Sequence, residues 1–185
     1  MVFPGGEHMN IYIADPYAVK ELNLGNQWRA VWVEGGPLPA DVAIIYGYAV
    51  VISEDKGYVT RLGGEERWGA VEGPVAGKET PAAFVKRAVL EQAGAAAGKA
   101  ELVGYFDCKA TSHNTDFPAG TRTVRPIYLF VATKMQDVGR GSAFERRRMP
   151  LNEFTKALRD HYPELQMTMT RAVDRYLVMQ AKGEL

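Results

Sequence analysis

The feature that most constrains this chain is a helix with both ends written into the sequence, between Thr80 and Gly94. Thr80 suits the N-cap, because its hydroxyl can accept from a free backbone N–H of the first turn. Pro81 suits the first helical position, where a missing N–H costs nothing. Gly94 suits the left-handed residue just past the end. Between these marks Ala82, Val85, Val89 and Ala93 recur at three- and four-residue spacing, which predicts an apolar stripe against a core. Arg87, Ala88, Glu91 and Gln92 then fall on the other side, with Phe84 nearby. A glycine-rich loop from Gly69 to Gly77 leads into the helix.

Loop and helix together resemble the signature of the Nudix family, whose members cleave nucleoside diphosphates linked to another group. With Gly73 as the first glycine of that pattern, Glu79, Arg87, Val89, Glu91 and Gly94 stand at the matching positions. Trp68 stands where family members often carry a tryptophan. Two acids of the pattern are replaced: Ala88 follows the arginine, and Gln92 takes the second place of the acid pair. Ala95 replaces the closing aliphatic residue.

The chain has 185 residues, enough for one domain with a real core. Apolar residues make up 46% and charged residues 24%, which describes a globule rather than a disordered chain. Formal net charge is zero, so nothing steers the protein toward nucleic acid or an anionic membrane. The single cysteine, Cys108, excludes an internal disulfide and a cysteine-based zinc cage. His8, His113 and His161 are scattered without zinc spacing. The apolar run Val42 to Ile52 is too short to span a bilayer, and residues at the N-terminus lack a signal pattern. The expectation is an intracellular protein, most simply cytoplasmic.

Taken in order, residues 1 to 9 are expected to be loose, with short strands at Ile11 to Ile13 and Trp28 to Val33. Gly35, Gly36, Pro37 and Pro39 punctuate the chain, and the main domain is expected over residues 40–185. Residues 1–39 form an N-terminal extension, either strands laid on the body or strands that build a homodimer, as the resemblance implies. Val42 to Ser53 and Tyr58 to Leu62 read as strands around a turn at Asp55, Lys56 and Gly57. Glu101 to Ala110 and Val124 to Thr133 read as two more, the latter with Pro126 near its start. Lys134 to Arg148 reads as a long charged loop. A short helix is marked by Pro150, Leu151, Phe154 and Leu158. A last helix runs from Pro163 to Gln180 with Leu165, Met169, Ala172, Val173, Tyr176 and Leu177 inward. This order says mixed α and β. The resemblance implies more: the Nudix α/β/α sandwich around a mixed sheet, with an N-terminal strand extension.

Pyrophosphate cleavage needs charge neutralised on the phosphate oxygens and a water placed for attack, tasks suited to magnesium or manganese. Carboxylates three and four residues apart on a helix can supply oxygen ligands from one face. The resemblance assigns this task to positions 88, 91 and 92, of which only Glu91 is an anion here. Gln92 could coordinate through its carbonyl oxygen, and Glu145 or Asp137 could contribute from the later loop. Glu91, Glu79 and Arg87 are the candidate catalytic group. In it Glu79 orients Arg87, and Arg87 clamps the loop or pairs with Glu91. Gly73, Arg61 and Phe117 are candidates for binding a nucleotide derivative, and Glu72, Tyr46 and Tyr48 are further possibilities. Arg146, Arg147 and Arg148 could grip phosphate, or form a solvated run.

Two functions follow. One is a metal-dependent pyrophosphohydrolase acting on a nucleoside diphosphate linked to another moiety. The other is a Nudix-fold protein that has lost turnover and binds or senses a nucleotide.

Overall fold

A computed structural model describes residues 22–139, 141–162 and 165–185. The strand expected at Ile11 to Ile13, His8 and Pro163 lie outside them. The described residues form β1 (Leu22–Leu24), β2 (Trp28–Glu34), β3 (Ala43–Ile44), β4 (Tyr46–Ser53), β5 (Lys56–Leu62) and β6 (Val71–Pro74). Then come α1 (Pro81–Ala93), β7 (Ala95–Ala110), β8 (Arg122–Met135), β9 (Phe144–Pro150), α2 (Leu151–His161) and α3 (Gln166–Lys182).

The strands make one mixed sheet in the order β1-β2-β7-β8-β4-β5-β9, with β3 beside β8 and β6 beside β4. Its centre is the parallel pair β4–β8, in register from Tyr48↔Ile127 to Ile52↔Val131. A parallel central strand is covered on both faces, so it reads as a continuous apolar run. β4 obeys this by alternation. Tyr48, Val50 and Ile52 join the core under α2 and α3, with Phe154, Leu158, Met169 and Tyr176. Ala49 and Val51 face the other way and join Phe84, Val85 and Val89 of α1. The result is the α/β/α sandwich, with α1 alone on one face among the described residues.

At one end β2 pairs with β7 over seven residues, from Trp28↔Ala110 to Glu34↔Gly104. Trp28 and Ala30 are buried in the same core as α2 and α3. The described part of the N-terminal extension therefore continues the sheet and its packing.

Several local expectations need correction. Lys134 to Arg148 is not one long loop: β8 runs to Met135, and β9 pairs antiparallel with β5 from Lys56↔Pro150 to Leu62↔Phe144. Charged residues suit a strand at a sheet edge, where they discourage further pairing. The first hairpin turns one residue early, at Glu54 and Asp55, both with positive φ. That two-residue geometry matches the twist of the flanking strands. Gly57 answers a different need, since a Cβ there would lie 2.1 Å from the Phe154 ring. The run Val42 to Ser53 breaks into β3 and β4 at Ile45, whose carbonyl accepts from the Val75 N–H. Leu177 is 45% exposed, while Met179 takes an inward place. In α1 the buried stripe is Phe84, Val85, Ala88, Val89, Gln92 and Ala93, and Ala82 is exposed. The helix is rotated so that Phe84 enters the core and Ala88, being small, lets the helix approach the sheet.

Candidate functional site

Both ends of α1 form as its sequence requires. The Ala83 N–H donates to the Thr80 hydroxyl at 3.2 Å, and Gly94 adopts φ 68°. Arg87 points back from this helix onto the loop before it. Its Nε donates to Glu79 Oε1 and its second terminal nitrogen to Oε2, both at 2.8 Å. The same guanidinium reaches the Pro74 carbonyl at 3.3 Å and the Glu91 carboxylate at 3.2 Å. Glu79 also accepts from the Ala76 N–H. This fork lowers the Glu79 carboxyl to about 2, chiefly through its bonds to Arg87. Glu79, Arg87 and Glu91 thus meet as one ion-paired cluster that fixes loop against helix.

Ala88 and Gln92 lie on the inward face. Ala88 is fully buried in the core between α1 and the sheet. Gln92 is 6% exposed, and its amide is used in both directions. Nε2 donates to the Glu72 carbonyl at 2.7 Å, and Oε1 accepts from the Glu72 N–H at 3.3 Å. The Thr60 hydroxyl approaches the same oxygen at 3.5 Å. A neutral amide matches one donor and one acceptor of a strand, as a carboxylate could not. Gln92 therefore ties α1 to β6.

The other expected residues are dispersed. Glu91 faces solvent beside a depression lined by Gln136, Asp137 and Ser142. Glu145 on β9 accepts from Nε and a terminal nitrogen of Arg61 directly across on β5, at 3.0 and 2.7 Å. Phe117 packs on Trp28, ring centroids 5.3 Å apart. The arginine run divides by strand alternation. Arg146 donates to the Ala93 and Gln136 carbonyls, capping the C-terminal end of α1. Arg147 lies 4.5 Å from the centroid of Trp68, as does Arg61. Arg148 meets Glu54 at 3.5 Å.

A cleft of about 460 Å³ opens where β6 meets the end of α2, with Tyr46, Arg61, Glu72, Gly73, Gln92 and His161 in its lining. Gly73 and Arg61 both reach it. So do two residues for which the sequence offers little signal, His161 and Arg67. Gly69 makes the approach of α2 possible: a Cβ there would lie 2.6 Å from the Tyr162 hydroxyl and 2.9 Å from His161 Nε2. The Tyr162 hydroxyl accepts from the Ala70 N–H at 3.1 Å and also bonds the Glu72 carboxyl. Burial pushes Glu72 up from the usual carboxylate range, with the Tyr162 bond opposing. His161 is lowered by burial and by the nearby Arg67.

The donors do not fit a family-type magnesium centre. Among the described residues no three of His, Cys, Asp and Glu gather around one point. Of the three helix positions, Ala88 has no donor and the Gln92 oxygen is taken by the β6 backbone. Glu91 is paired with Arg87, and Glu145 is held by Arg61. Hard divalent ions want several oxygens converging, which this arrangement lacks.

No protein-family model matches the sequence, and no curated protein matches it. Solved structures do. A mutant of a Bacillus subtilis pyrophosphohydrolase superposes with a TM-score of 0.54 at 16% identity, covering 70% of this chain and 76% of that one. The E. coli dihydroneopterin triphosphate pyrophosphohydrolase gives 0.49 at 12% identity, covering 72% and 99%. A Nudix hydrolase from Nitrosomonas europaea gives 0.48 at 16%, covering 72% and 89%. The first likeness, with the sandwich described above, identifies the Nudix fold. No helix among the described residues is long and apolar enough to cross a membrane.

Proposed function

We propose that this Nudix-fold chain binds a phosphorylated small molecule of the nucleoside diphosphate class without the metal-dependent hydrolysis its architecture is built for elsewhere. The observation that carries this reading is the pair Ala88 and Gln92. One is sealed in the core, and the other spends its amide on the Glu72 backbone. The scaffold around them is kept: the Glu79–Arg87 fork fixes the loop, and Gly73 stays at the cleft wall. Binding needs that scaffold, whereas turnover needs the converging carboxylates as well.

The hydrolase reading is favoured by the solvent-facing carboxylate of Glu91 and by the likeness to a pyrophosphohydrolase. The two readings separate in a single assay. The protein is incubated with magnesium or manganese and ADP-ribose, dinucleoside polyphosphates, nucleotide sugars and nucleoside triphosphates. Binding without product supports the reading proposed here. Turnover that Glu91→Gln abolishes supports the hydrolase.

A further inference from the structure

Beside the cleft lies a second cavity of about 550 Å³, between the β1–β2 turn and Tyr162 and Leu165. The two share Arg67 and His161 in their linings, so they adjoin. Their chemistry differs. The first cleft contains Glu65 and Glu72, and its Arg61 is already paired with Glu145. The second contains Arg67, Arg125 and His161 and no carboxylate.

Arg125 is the unusual member. It lies on β8, in the interior of the sheet, with its guanidinium 5.2 Å from the Trp28 ring centroid and 5.9 Å from that of Tyr46. Its charge opposes the upward push of burial on the Tyr48 hydroxyl. No carboxylate among the described residues pairs with it, and its Nε is buried without a hydrogen-bond partner. His161 Nδ1 is likewise buried and unpartnered. A cation held on aromatic faces keeps its charge available while its geometry is fixed. Arg125 is half-buried; enclosing even part of such a charge without an anion is costly, and an arriving phosphate would relieve that cost.

We infer that the phosphate end of the ligand is received in this second cavity, by Arg125 and Arg67 beside His161, and not alongside Gly73 and the helix. The organic part then lies in the first cleft, where Tyr46 offers a ring, and Glu72 and Gln92 line the wall. This assignment rests on the binding function proposed above. It reverses the end of the site at which charge is expected from the sequence.

The test is calorimetric titration of the full chain with ADP, adenosine and inorganic phosphate, in chelator. ADP should bind, inorganic phosphate should compete with it, and adenosine should bind at least tenfold more weakly than ADP. Arg125→Met keeps an apolar body between Trp28 and Tyr46 and should weaken ADP at least tenfold. Arg67→Gln, at an exposed position, should weaken it severalfold with the fold intact by circular dichroism. ADP binding that Arg67→Gln and Arg125→Met both leave unchanged overturns this assignment and leaves the proposed function standing. A chain that binds none of these probes, nor any member of the wider panel, loses both.

Discussion

Glu79 is the residue whose behaviour in solution follows most directly from its contacts. Its carboxyl, about 2 in the folded chain, lies below the value of about 4.3 for an unfolded glutamate. A depressed carboxyl stabilises the fold above the unfolded value, and that contribution drains away as pH falls toward the folded one. The stability gap between the wild type and Glu79→Gln should therefore be open at pH 5 and close progressively between about pH 4.3 and pH 2. Denaturant midpoints across that range measure it. Gln92 makes a second prediction. Gln92→Leu strands the Glu72 N–H and carbonyl and should cost about 2 kcal/mol in denaturant unfolding. Ala88→Glu, which would restore the family acid in sequence, buries an unpaired charge between α1 and the sheet. It should cost about 3 kcal/mol or more and create no magnesium affinity in calorimetry.

Among the elements, α1 is the most legible in sequence, because its cap, its proline and its glycine are each local signals. Its inward face is less legible. Burial of Gln92 depends on the backbone of β6, twenty residues away, and no spacing rule contains that partner. β9 is hidden for a related reason: Phe144–Pro150 has the composition of a loop and becomes a strand only because β5 is beside it. The hairpin before it is legible as a turn but not to the residue, since Glu54 and Asp55 at positive φ are uncommon choices. Gly57 follows from packing and not from the turn. Gly57→Ala drives a methyl into the Phe154 ring and should cost about 2 kcal/mol, read from the denaturation midpoint.

Across the whole molecule, the order of strands, loop, helix, strands and helices says only mixed α and β, and the sandwich is legible through the resemblance that the loop and α1 carry. The candidate site is most legible where it coincides with the loop and α1, with Arg61 and Tyr46 of the cleft lining also named from the strands. Glu79, Arg87 and Gly73 are found that way, whereas the cavity wall built by Arg67, Arg125 and His161 comes from three distant segments. The one available hint was Arg125 itself, a charge beside Pro126 within a strongly apolar strand. Two of the three positions on α1 at which carboxylates would hold an ion are spent on holding the sheet. Calorimetric titration with ADP-ribose, first in chelator and then in excess magnesium with products followed, tests this central claim most directly. The account predicts the same affinity in both conditions and no product. Affinity that appears only with magnesium, accompanied by hydrolysis that Glu91→Gln abolishes, would contradict it.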